Sequence, residues 1–219
     1  MAKTLAILAT DVLSDDFDTI KYQARAEAAI NDALKHIART TDIPLNQTSS
    51  TIPTVSGTAS YALPSDFLYM RALTHVDTGQ TLSPLVGGID EYDALVTTLT
   101  TGRSGRPGSY VVEANSLLLH PTPGSAYDIR LRYAKVPVDL SGAVELSTIF
   151  PEEYGYLLVC FGRARLFRFE DDPQMADYWQ AQFETGLAKL RTDLQYRMRP
   201  VQQIGGQLGS SSPRFRMPR

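Results

Sequence analysis

One apolar stripe constrains this chain more than any other feature. Met175, Trp179, Phe183, Leu187, Leu190, Leu194 and Met198 recur at steps of three or four residues, which is one face of an α-helix. The stripe runs through residues 174–198. A helix of that length with one apolar face needs a partner to cover it. Asp172 and Pro173 precede the stripe in the order expected of an N-cap followed by proline at the first helical position. Pro200 stops it. Upstream, Phe150, Tyr154, Leu157, Leu158, Phe161, Ala164 and Arg165 define another helix, with Pro151 in its first turn and an end near Glu170. The two form a helical hairpin. The Glu170-Asp171-Asp172 run could be read as a metal or catalytic group, but a two-helix corner explains it.

A third helix is predicted over residues 15–39, which contain no glycine or proline. Ile20, Ala24 and Ala28, then Ile30, Ala33, Leu34 and Ile37, give its spacing. Ser14 is the expected N-cap. Asp15, Asp16 and Asp18 suit the positive end of the helix dipole, and Lys35, His36 and Arg39 the negative end. These acids lack the alternating order of a calcium loop. Ahead of them, residues 1–11 carry a short apolar run that faintly resembles a signal peptide; without a convincing cleavage site they read as mature sequence.

Between the helices the period changes. Residues 40–60 are rich in Thr, Ser and Pro and read as a loop or linker. Tyr61 and Leu63 then alternate before Pro64. Leu68, Met70, Ala72 and Val76 follow at period two, with Arg71 and His75 on the other face, and Asp77-Thr78-Gly79 turns the chain. Residues 89–99 fit a short helix carrying Tyr92, Leu95, Val96 and Leu99, closed by Gly102. Residues 110–113 and 116–120 flank Ala114-Asn115 as a hairpin. The cleanest strand spans residues 126–136. Tyr127, Ile129, Leu131 and Tyr133 point one way, and Asp128, Arg130 and Arg132 the other, as in an antiparallel sheet with one wet face. The expected fold is therefore α+β. The N- and C-terminal segments form a helical bundle, and an antiparallel β-rich block is inserted between them.

Composition excludes several classes. Hydrophobic residues make up 43% and charged residues 21% of 219, which is ordinary globular chemistry rather than disorder. No apolar run approaches the roughly 18 residues of a membrane helix. A single cysteine, Cys160, rules out an intrachain disulfide and a thiolate metal centre. The net charge of −3 hides an asymmetry: residues 1–100 carry 6 basic and 12 acidic side chains, residues 101–219 carry 15 and 12. After Asp193 there is no acid, but Arg197, Arg199, Arg214, Arg216 and Arg219 follow. Residues 201–219, with three Gly, two Pro and three consecutive Ser, cannot bury enough to fold alone.

Catalytic and metal chemistry is not evident. His36, His75 and His120 are scattered without ligand spacing and read as surface or strand-end residues. Cys160, among Leu157, Leu158 and Phe161, reads as a buried thiol. The glycines and arginines of residues 102–108 lack the Gly-Lys-Ser/Thr ending of a phosphate loop, and Pro107 removes an amide donor. Trp179 belongs to the helical stripe. No cofactor is called for.

The order of short motifs is more specific. Tyr61-Ala-Leu-Pro64-Ser-Asp66-Phe67 matches "Y-x-L-P-x-D-F". Gly105-Arg106-Pro107-Gly-Ser-Tyr110 matches "G-[KR]-P-x-x-[YF]". Residues 115–123 form a hairpin arm ending in "x-P-x-P". Arg130-Leu-Arg132-Tyr133, with Pro137 and Leu140, matches "L-R-Y…P-x-x-L". Phe150-Pro151-Glu-Glu-Tyr154 matches "L-P-E-x-Y", and the Asp-Asp-Pro corner follows. Over residues 15–198 this set resembles the head-to-tail adaptors of tailed bacteriophages, the head-completion, tail tubular A-like and gatekeeper-type connectors.

The resemblance implies a structural virion protein of the head-tail junction, or neck, made in the host bacterial cytoplasm. It implies a ring, dodecameric like the usual portal, that joins capsid to tail. The implied partners are the portal protein, a downstream tail, nozzle or stopper protein, and further copies of the chain. DNA would pass through the lumen without sequence-specific binding, and no membrane is involved. The implied organisation is an N-terminal helical segment at 1–50, a β-rich insertion at 51–148, a helical hairpin at 149–198 and a flexible docking arm at 199–219. The acidic first half is a candidate lumen lining. Arg199, Arg214, Phe215, Arg216, Met217 and Arg219 are the candidate portal-docking residues, because arginine and aromatic side chains dominate interface hot spots. Two other readings remain open: a nucleic-acid-binding module using the arginine tail with Arg130 and Arg132, and an enzyme of undefined class.

Overall fold

The computed structural model describes residues 3–14, 16–98, 104–141 and 144–198, with side chains to residue 195. Helices α1 (Leu5–Leu13), α2 (Thr19–Thr40), α4 (Gly155–Phe169) and α5 (Pro173–Met198) pack together as a bundle. The β-rich block lies between α2 and α4 in sequence, as expected. It contains β1 (Gln47–Pro53), β2 (Ser60–Ala62), β3 (Phe67–His75), β4 (Ser83–Pro84), α3 (Gly88–Thr98), β5 (Ser104–Gly105), β6 (Ser109–Glu113), β7 (Ser116–His120), β8 (Thr122–Pro123) and β9 (Asp128–Lys135).

The bundle core corrects the reading of the first helix. Residues 5–13 form a helix of their own, burying Leu5, Leu8, Ala9, Val12 and Leu13 at the 3, 4, 7, 8 spacing of an amphipathic face. The apolar run near the N-terminus is thus core. Ser14 caps the C-terminus of α1 rather than opening α2. Asp18 is the N-cap of α2, and its carboxylate accepts from the backbone N–H of Ile20 and Lys21. The buried face of α2 is Tyr22, Ala26, Ala29, Ile30, Ala33, Leu34, Ile37 and Ala38. Ile20 lies two positions from Tyr22, on the opposite side of the helix, and is 95% exposed.

In the terminal hairpin, Asp172 caps α5 by accepting from the Met175 N–H. Phe183, Leu187, Leu190 and Leu194 are buried as their stripe requires. Met175 is off that face, and Ala176 takes its place in the interior. Arg165 points outward to Asp32 at 3.5 Å. Pro151 precedes a short 3-10 turn, Glu152–Tyr154, and α4 begins after it. The helices approach closely at glycines. A Cβ on Gly162 would lie 2.9 Å from Val12 Cγ2, and one on Gly186 would overlap Leu157 and lie 2.8 Å from the Tyr156 hydroxyl.

The β block is a small sandwich. One sheet has the order β1-β9-β3 and is antiparallel; the other has the order β2-β7-β6-β4. The β6–β7 hairpin turns at Ala114-Asn115, with Ala114 in the left-handed region at φ 49°. Leu73, Ile129, Leu131 and Tyr133 from the first sheet meet Tyr110, Leu117 and Leu119 from the second in one core. Strand β9 is central, and its alternation is as expected: Ile129, Leu131 and Tyr133 are buried, Asp128, Arg130 and Arg132 exposed, and Tyr127 half-buried just before the strand.

Two readings of the block are corrected. Within residues 40–60, Gln47–Pro53 is an edge strand paired with β9 along its full length. Its polar composition hides it, because only Thr48, Ser50 and Ile52 turn inward, and those only partly. In β3, register shifts after Phe67 and after Met70 insert one residue each. The face therefore switches: Phe67, Met70, Leu73 and His75 turn inward, and Val76 is exposed. His75 is 1% exposed and closes β3, so it takes the strand-end place and not the surface one.

Bundle and block are tied by polar contacts. Asn31 on α2 bonds both the N–H and the C=O of Leu140, in the segment returning from β9, at 2.8 and 3.3 Å. Asp42 accepts from the Tyr69 hydroxyl at 2.8 Å and pairs with Arg71 at 2.5 Å.

Candidate interaction surfaces

The described residues contain no group of three His, Cys, Asp or Glu side chains placed to hold a metal ion. Cys160 is buried, and that burial pushes its thiol above the ordinary range, with Arg163 opposing more weakly. His36 is exposed over Phe161, while His75 Nε2 lies 2.8 Å from the Pro107 carbonyl oxygen. The structure therefore brings none of the histidines together. Arg199, Arg214, Phe215, Arg216, Met217 and Arg219 lie outside the described residues, as does Gly102. What the described chain offers is surface.

The first surface is the outer face of the β1-β9-β3 sheet. Strand pairing sets Arg130 between Thr51 and Thr74, and Arg132 between Ser49 and Ala72. Arg132 and Arg71 border a shallow groove of about 590 Å³ that Gln47, Ser49 and Ala72 also line. Arg71 is neutralised by Asp42. Neither Arg130 nor Arg132 has an ion pair among the described residues. Tyr133 donates its hydroxyl to Asp66 at 2.9 Å, and burial followed by that bond holds its phenol up at about 12. Tyr69, bonded to Asp42, is likewise pushed to about 12, by burial first.

The second surface lies across the sandwich. Tyr92 of α3 and Val111 of β6 are both buried, yet neither belongs to the sandwich core. Val111 neighbours the inward-facing Tyr110 and so points to the opposite side of its sheet. Tyr92 meets the His120 ring edge-on at 6.3 Å. Helix α3 is thus a third layer over the second sheet. Asp90 and Asp93, on the helix side away from Tyr92, are exposed and unpaired by any cation among the described residues. Sequence reasoning passed over them. The signal was available: the spacing of Tyr92 and Leu95 already places Asp90 and Asp93 on the other side.

A third surface is the end of the bundle near the α4–α5 corner. Phe169 is 49% exposed, with the Arg25 guanidinium stacked 3.7 Å from its ring centroid. Arg163, against the Trp179 ring and within 3.4 Å of Asp16, braces the α1–α2 turn nearby. Among the described residues no helix is long and apolar enough to cross a membrane.

The family model described as SU10 adaptor protein matches residues 3–204, which include the whole bundle and the whole β block. No curated protein matches the chain.

Proposed function

From the premise that the chain belongs to the SU10 adaptor protein family, a family of phage adaptors, we propose that it is the head-to-tail adaptor of a tailed bacteriophage. In this reading it forms a ring below the portal, dodecameric where the portal is twelvefold. The ring joins the capsid to the next tail, nozzle or stopper protein, and DNA passes through its lumen. The role is structural rather than enzymatic. Its place is the neck of the virion.

The observation that carries the reading is the extent of the family match, residues 3–204, because an assembly protein works through its whole surface rather than one pocket. The clefts are consistent with that: the groove on the first sheet is open and lined mainly by hydroxyl, amide and guanidinium groups. The arm at residues 199–219 is proposed to dock on the portal through Arg199, Arg214, Phe215, Arg216, Met217 and Arg219. Arginine forks onto carboxylates, and the neighbouring Phe215 and Met217 supply apolar anchors.

Electron microscopy of the purified protein mixed with portal tests the ring. A stacked ring on the portal is expected; particles in which the protein decorates DNA or tail fibres but never the portal would refute it. The arm is tested by deleting residues 201–219. Loss of attachment to portal-bearing capsids is expected; a truncated chain that folds and attaches with unchanged affinity would assign the contact to the folded body.

A further inference from the structure

The β block has opposite charge on its two outer faces. The geometry points to a head-to-tail contact between copies of this chain, in which Asp90 and Asp93 on α3 of one copy sit against Arg130 and Arg132 on the outer β1-β9-β3 sheet of the next; it rests on the ring reading above and names one of the ring's contacts.

Three observations carry it. First, the charges are unpartnered within the chain. No ion pair among the described residues includes Arg130, Arg132, Asp90 or Asp93. Arg71, on the same sheet, has its own carboxylate. Second, the two patches face away from each other. The first sheet, the second sheet and α3 are stacked in that order. With layers roughly 10 Å apart, the basic and acidic faces are separated by about 20 Å of packed protein. A copy therefore cannot satisfy its own charges. Third, the arrangement suits a ring. A surface that meets a different surface on its neighbour is heterologous, and heterologous contacts close into rings when the rotation permits. A self-complementary patch would give a dimer and stop.

The spacing of the charges also fits. Arg130 and Arg132 are two residues apart on one strand, about 6.6 Å. Asp90 and Asp93 are one helical turn apart, about 5 Å. Two arginine–carboxylate pairs can form side by side, flanked by the hydroxyls of Thr51 and Thr74.

Size sets the expected effect. Seven residues on each of three strands cover about 14 Å by 23 Å, roughly 330 Å². A stable interface takes about 800 Å² from each partner. This contact therefore orients and strengthens a larger one instead of holding the ring alone. A polyanion such as DNA is the competing occupant. Against it, Asp128 is exposed on the same sheet face, where it repels a polyanion.

The test uses the full chain and two charge reversals, Arg130→Glu/Arg132→Glu and Asp90→Arg/Asp93→Arg. All four positions are exposed, so both variants should fold and melt like the parent, which circular dichroism checks. Self-association is followed by sedimentation velocity from about 1 μM to about 1 mM at low salt. Each variant alone should associate about tenfold or more weakly, because attraction becomes repulsion. Their equimolar mixture should recover association, since each then presents the face the other lacks. The contact is refuted if either variant associates like the parent, if the mixture stays as weak as the variants, or if Arg130→Glu/Arg132→Glu loses only salt-dependent DNA binding. A parent chain that neither self-associates nor forms rings on portal removes the ring reading and this contact together. A parent that forms rings while both variants form them equally well removes this contact alone.

Discussion

Asn31 is the polar link whose removal should loosen the segment that returns from β9 onto the bundle. Its carboxamide reads both backbone groups of Leu140: Oδ1 accepts from the N–H at 2.8 Å, and Nδ2 donates to the C=O at 3.3 Å. Leu140 itself is 2% exposed and belongs to the bundle core. The side chain of Asn31 thus holds the segment that returns from β9 onto α2. Asn31→Ala removes both bonds, at about 1 kcal/mol each. A sealed site would add the full cost of stranding the Leu140 amide, roughly 1–3 kcal/mol. The site is not sealed. An open groove of about 540 Å³, lined by Leu5, Ala6, Ala24, Glu27 and Ala28, reaches Asn31 and Leu140. Water can replace part of what is lost, so the total should stay near 2 kcal/mol. For a chain of this size that is a fall in Tm of about 4–8 °C. Urea and thermal unfolding of the variant measure it. A cost under about 0.5 kcal/mol would show that the pair is not what anchors Leu140.

Gly186→Ala should destabilise by about 1–3 kcal/mol through overpacking, because its methyl would overlap Leu157 and crowd Tyr156; a neutral change in urea unfolding would mean that α4 and α5 can part freely. Asp172→Ala should lose about 1 kcal/mol by removing the α5 cap on the Met175 N–H, measured in the same way. Stability should fall between about pH 10 and pH 12. Tyr69 and Tyr133, raised to about 12 by burial first, and Tyr154, raised to about 12 by its bond to Asp193 first, ionise later folded than unfolded. Their stabilising contribution is complete below pH 10 and is lost as pH rises through the folded value. A phenolate absorbance titration showing all eleven tyrosines ionising together near pH 10 would contradict this.

The two-part plan of the molecule was legible because it is written in periodicity. The α5 stripe and the β9 alternation each repeat often enough to exclude the other period; Phe183, Leu187, Leu190 and Leu194 occupy the interior as read, with Met175 off that face, and so do Ile129, Leu131 and Tyr133. What was missed lacked either length or hydrophobic contrast. Helix α1 has only nine residues and no side-chain cap, so its amphipathic spacing is too short to stand out; the packing of Leu8 and Val12 against the bundle makes it a helix. Strand β1 is mostly Gln, Thr and Ser, and its identity comes from β9, whose open edge it pairs. Register in β3 failed for a different reason. A period of two is read by counting, and two inserted residues defeat the count while leaving the strand intact.

The surfaces follow the same logic from the other side. An unpaired charge has no signature in a sequence, because every charge looks available there. Arg71 and Arg132 both read as wet-face arginines, and only the fold brings Asp42 to the first and leaves the second bare. Asp90 and Asp93 drew no reading from the sequence, and they stand out only once α3 is seen to cover the sheet opposite the arginines. In a protein whose work is to contact other proteins, those residual charges are the informative residues, since the fold that could have neutralised them does not.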